Sequence, residues 1–104
     1  MTDLEWMTCG HPDLMLEEIM VGVDRRTLVT FVRQCWRRIE PYLPPVPHDY
    51  TVVDQFEEKV DHMSDHDAVI YAAEAALKAA GLAPNMAAEQ KQQAELLRRI
   101  VRRE

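Results

Sequence analysis

The stretch from Asp24 to Leu43, DRRTLVTFVRQCWRRIEPYL, constrains the fold more than any other part of the chain. Leu28, Phe31, Val32, Cys35, Ile39, Tyr42 and Leu43 recur at three- and four-residue steps, the spacing that aligns side chains on one face of an α-helix. Val29 and Trp36 widen that face, while Arg26, Thr30, Arg33 and Arg37 line the opposite one. Such a helix cannot bury so broad a stripe alone. No run of alternating β-branched and polar residues between turns predicts a strand, so its partners must be further helices.

The rest of the chain supplies them. Thr2-Asp3-Leu4-Glu5 fits a capping box and predicts a short helix to about Thr8, stopped at Gly10 as a left-handed residue. Trp6, with Leu4 or Met7, is expected to pack on the main helix. Pro12 suits the first position of a second short helix, in which Leu14, Met15, Ile19 and Met20 supply apolar contacts. Gly22 ends that helix, and Asp24 caps the long one. Pro41 removes a backbone donor, so the long helix should kink or end there. Leu43 to His48, with three prolines, is a stiff bend too short to separate domains.

From Thr51, Val52, Val53, Phe56, Val60 and Met63 form a stripe, with Asp54, Glu57, Glu58 and Asp61 away from it. Ser64 with Asp67 marks a new helix start, after which Val69, Ile70, Ala73, Ala76, Leu77 and Ala80 are expected inward and Gly81 ends the helix. Asn85 caps a last helix from about Met86 towards Arg102, with Glu89 near its start. Gln93, Ala94, Leu96, Leu97, Ile100 and Val101 lie on its apolar side, and Arg98, Arg99, Arg102 and Arg103 suit its C-terminal carbonyls. The 104 residues make about one domain. The expected fold is a single all-α domain over 1–104, a compact bundle of about five to six helices, the first two short.

A net charge of -6 argues against a general nucleic-acid or anionic-membrane binder, which needs a positive surface. The charges are segregated, with an acidic middle from Asp49 to Glu74 between arginine zones at 25–38 and 98–103. The start, MTDLEWMTCG, lacks the cations and apolar region of a signal peptide, and no apolar run approaches the ~20 residues of a membrane span. A cytoplasmic protein is expected, with Cys9 and Cys35 reduced.

The sharpest cluster of chemically capable side chains is Asp61-His62-Met63-Ser64-Asp65-His66-Asp67. Imidazoles and carboxylates are ligand types for zinc, iron or manganese, so Asp61, His62, Asp65 and His66 are the candidate metal ligands. His62 and His66 would share a face of one continuous helix, but the Ser64 cap predicts a break between them, and the bland reading is a solvated helix junction. Cys9, His11 and Cys35 could supply three zinc ligands, yet no C-x-x-C spacing accompanies them. Cys35 sits on the apolar stripe, where a thiol acts as a small hydrophobe. The stripe of Arg26, Arg33 and Arg37, flanked by Arg38, is the candidate surface for an acidic protein partner; the bland alternative is a solvated face paired with Glu. No helix-turn-helix turn or aromatic platform makes it a nucleic-acid reader.

Trp6, His11-Pro12, Met15-Leu16-Glu17, Arg25, Leu28, Phe31, Cys35 and Arg37-Arg38-Ile39 together resemble a paralogous family of helical proteins of planctomycete-type bacteria. That family's pattern reads W-x-x-C-x-D-P-x-x-M-L-E, then L-x-L-F-x-x-x-C-C-R-R-I-W, and its later A-Q-x-x-L-L-R-D-I-F is echoed by Gln92 to Ile100. His11 replaces Asp, a single Cys35 stands in place of a pair, Arg99 replaces Asp, and the family's G-N-P-F tail is absent. The resemblance implies a bacterial all-α protein and carries no activity with it.

No phosphate-binding loop, nucleophile elbow or dinucleotide fingerprint is present, and three glycines leave little room for one. Binding is therefore expected ahead of catalysis, with no cofactor required. The expected function is a protein–protein interaction module, working as an adaptor, an accessory subunit or a neutralising partner of the antitoxin or immunity kind. A metal-dependent role for the His62/His66 cluster is the alternative, and self-association stays open as a further mode.

Overall fold

The computed structural model describes residues 2–19, 24–42 and 51–101. Among them are six α-helices: α1 (Asp3–Thr8), α2 (Pro12–Glu18), α3 (Arg25–Ile39), α4 (Thr51–Lys59), α5 (Asp65–Gly81) and α6 (Met86–Ile100). Short 3₁₀ turns follow α3 at Glu40–Tyr42 and α4 at Val60–His62. The fold is the expected all-α bundle with two short leading helices.

Local chemistry sets most helix starts. Thr2 Oγ1 accepts from the Glu5 amide at 3.1 Å, and Glu5 Oε1 accepts from the Thr2 amide at 3.4 Å. Asp24 Oδ1 accepts from Arg26 N at 2.9 Å, Ser64 Oγ from Asp67 N at 3.1 Å, and Asn85 Oδ1 from Ala88 N at 3.1 Å. Each such bond satisfies an amide that the helix itself leaves unpaired and contributes about 1 kcal/mol. Pro12 opens α2 in the same economical way, since its position needs no N–H.

The helix ends are less conventional. Gly10 does not adopt a left-handed conformation; α1 ends instead at Cys9 in extended backbone. Gly81 is the last residue of α5, as expected, but ends it with ordinary φ, and Leu82 follows as the cap. Pro41 ends α3 by tightening the chain into the 3₁₀ turn. Tyr42 thereby leaves the apolar stripe and is 55% exposed. Met20, Gly22, the 43–48 bend, Arg102 and Arg103 lie outside the described residues.

α3 packs most extensively on α5, and α5 also meets α2, α4 and α6. α3 contributes Leu28, Val29, Phe31, Val32, Cys35 and Ile39 to the core, as its periodicity predicts. Met15 and Leu16 enter from α2, Val53 and Phe56 from α4, and Ala94 and Leu97 from α6. Tyr71 stacks on Phe56 with ring centroids 4.9 Å apart and donates to the Val52 carbonyl at 3.4 Å. α5 departs from expectation. Its buried residues are Ala68, Val69, Ala72, Ala75, Ala76, Ala79 and Ala80, whereas Ile70 and Leu77 are 40% and 48% exposed. The helix is rotated so that its methyl-sized side chains, not its largest, face the neighbours. Bulky side chains at those positions would hold the surrounding helices apart.

α1 is secured from the far end of the chain. Trp6 is buried in the core while Leu4 and Met7 stay exposed. Arg98 Nη1 on α6 donates to the Trp6 carbonyl at 3.1 Å and the Cys9 carbonyl at 2.8 Å. Those carbonyls lie at the C-terminal end of α1, where a helix leaves its acceptors unpaired. Arg98→Ala should destabilise the protein by about 2 kcal/mol, the scale of lost hydrogen bonds from a charged donor. Hydrogen exchange should accelerate at the amides of Trp6 to Cys9 more than at those of α3 or α5. Equal acceleration everywhere would contradict a local tether.

Candidate functional site

The arginine stripe on α3 is largely engaged within the molecule. Arg33 pairs with Glu57 of α4, and Arg26 reaches the same carboxylate at 3.7 Å. Arg38 forks onto Glu89 of α6, with Nε to Oε2 at 3.0 Å and Nη2 to Oε1 at 3.1 Å. Arg25 donates to the Val60 carbonyl at 2.7 Å and to Asp65 at 3.1 Å. Arg37 has no ion-pair partner among the described residues. It faces a cleft between α3 and α6 that Gln34, Gln92, Leu96 and Arg99 also line. Of the four candidate arginines, three are thus joined to carboxylates and one points to solvent.

The Arg38–Glu89 clasp is the most sheltered of these pairs, because the Glu89 side chain is only 8% exposed. Hydrogen bonding to Glu89 raises the Arg38 pKa further above its ordinary value and so holds the charge in place. Losing one partner is not symmetrical. Arg38→Ala leaves a buried carboxylate uncompensated and should cost about 1–3 kcal/mol, while Glu89→Gln keeps an acceptor for a still-hydrated guanidinium and should cost less than about 1 kcal/mol. Chemical denaturation of the two variants checks that order.

The histidine cluster is divided as Ser64 predicts. His62 closes the 3₁₀ turn, Met63 is extended, and His66 lies in the first turn of α5. Both imidazoles, Asp61 and Asp65 are exposed, and Asp65 is the one that Arg25 engages. Among the described residues, no group of three or more His, Cys, Asp or Glu side chains is placed to hold a metal ion.

The two thiols are equally separate. Cys35 is fully buried in the core, and burial pushes its pKa far above the ordinary thiol range. Cys9 is half-buried, with Sγ 3.5 Å from the His11 carbonyl. In the native protein a chromogenic disulfide reagent should label Cys9 on the order of a hundredfold or more faster than Cys35, because only the thiolate attacks. In denaturant both should react. Fast native labelling of two thiols would refute this picture of the core.

The rotation of α5 builds a site that stripe reading does not find. Ile70, Ala73 and Leu77, with Val69 beneath them, form one wall of a groove of about 260 Å³. Pro12 of α2 closes one side, Gln90 and Gln93 of α6 the other, and Asp13, Glu17 and Glu74 stand around it. Gln93 is completely buried; its Nε2 donates to the Ala76 carbonyl at 2.8 Å, and its Oε1 has no donor among the described residues. The available sequence signal is excess. α5 carries more apolar residues than one core-facing stripe requires, so some of them must lie outside it.

Neither protein-family models, nor curated proteins, nor solved structures gave a match to this chain. What the protein does must therefore be read from its own surfaces.

Proposed function

We propose that this chain is a protein–protein interaction module, acting in the cytoplasm as an adaptor, accessory subunit or neutralising partner rather than as a catalyst. One observation carries the reading: Ile70 and Leu77 border an apolar groove on the outer side of α5 while the other side of that helix fills the core. Scattered exposed apolar residues are ordinary, but a rimmed apolar groove is the kind of surface that a partner covers. The paired state of Arg26, Arg33 and Arg38 supports the groove over the arginine stripe as the main docking face. Among the described residues Arg37 is what remains of the stripe for contact with acidic groups, and Arg99 of α6 lines the same cleft.

Affinity capture from native-host lysate with three baits tests this. The wild-type protein should recover one partner near stoichiometry at low and moderate salt. The double variant Ile70→Asp/Leu77→Asp should lose it, because two charges then sit in the contact face. Arg37→Glu should retain it within about threefold, as expected for an exposed rim charge. Loss with Arg37→Glu and retention with the groove variant would move the interface to α3. No specific partner with any bait would remove the binding reading.

A further inference from the structure

We propose that the groove takes a cationic amphipathic helix of a partner protein; the inference rests on the binding reading and names the occupant. Three observations select it. Ile70, Ala73 and Leu77 stand at i, i+3 and i+7, so the apolar wall runs about 10 Å along α5, the rise of two helical turns. A helix laid along that wall meets it with its own apolar residues at i, i+3 or i+4, and i+7. The volume, about 260 Å³, lies just under the range of pockets that enclose a whole small molecule, and suits a few anchoring side chains instead.

Charge then fixes the sign of the occupant. The groove lining includes three carboxylates, Asp13, Glu17 and Glu74, and no cation. Asp13 and Glu17 are one turn apart on α2, while Glu74 stands on α5, so negative charge flanks the apolar strip from two elements. Lysines or arginines bordering the apolar face of the incoming helix would meet these acids, whereas an acidic helix or an anionic membrane surface would be repelled. The acids are exposed, so their effect is on encounter and discrimination more than on intrinsic strength.

The test uses two fluorescein-labelled model peptides of about 16 residues, long enough for measurable helix content. Both carry Leu at i, i+3, i+4 and i+7; one is flanked by Lys and the other by Glu. Anisotropy titrations with the full chain should show the Lys-flanked helix binding at least about tenfold more tightly than the Glu-flanked one, with the gap narrowing as salt rises. Leu77→Asp should weaken the Lys-flanked helix by about tenfold or more. Glu17→Lys/Glu74→Lys should invert the peptide preference. All these positions are exposed, so unchanged helical circular dichroism checks that each variant is folded.

Absence of Lys-flanked binding, equal binding of the two peptides, or binding that Leu77→Asp leaves intact would each overturn the proposal. A concentration-dependent dimer that Leu77→Asp converts to monomer would overturn it too, by making a second copy of this chain the occupant. The broader reading fails separately. Should the peptides not bind while the groove variant still loses a captured partner, the module binds a protein of different chemistry there.

Discussion

Everything in this bundle depends on how closely other helices can approach α5. Its inner face is methyl groups at Ala68, Ala72, Ala75, Ala76, Ala79 and Ala80, with Val69 the one larger side chain. Helix axes pack 8–10 Å apart depending on the residues between them, and alanine permits the short end of that range. Large side chains of the neighbours then fill the space: Phe31 and Ile39 from α3, Met15 and Leu16 from α2, Leu97 from α6. A core made this way is intolerant of enlargement on α5, because the facing residues already occupy the volume. The same choice leaves Ile70 and Leu77 without a place inside. The groove is thus a by-product of how the core is packed, not an addition to it.

Charge is distributed by a comparable logic. Arg25, Arg33, Arg38 and Arg98 each reach a different element, tying α3 to the α4–α5 junction, to α4 and to α6, and α6 to α1. The more exposed pairs of Arg25 and Arg33 are worth little alone where water reaches them, unlike the sheltered contacts of Arg38 and Arg98. Together they spend the basic groups on internal geometry, and the surface that remains is biased to acid, in keeping with a net charge of -6. The acids around the groove belong to that unspent excess.

The fold was legible because helix periodicity and caps are local signals. Thr2 with Glu5, Asp24, Ser64 and Asn85 each mark a start that the structure realises with a side-chain hydrogen bond. The stripe of α3 identifies six of its own buried residues. On α5 hydrophobicity misleads: ranking by apolar size puts Ile70 and Leu77 inside, whereas close packing selects the alanines. Gly10 misleads for a related reason, since glycine is permitted, not obliged, to adopt left-handed backbone. The arginine surface could not be resolved from sequence because its partners lie 24 to 51 residues away, at Glu57 and Glu89. The groove needs three elements at once, and no window of sequence contains it.

The Arg98 tether orders events in time as well as space. Synthesis delivers Trp6 and Cys9 about 90 residues ahead of the side chain that holds their carbonyls. Until α6 has emerged, α1 has only its capping box and its own apolar residues, too little for a six-residue helix to persist in water. α2 depends on α6 less, because its more extensive packing surface is α5. The contacts that fasten α1 therefore become available only with the last helix, and Trp6 is without its Arg98 tether until then.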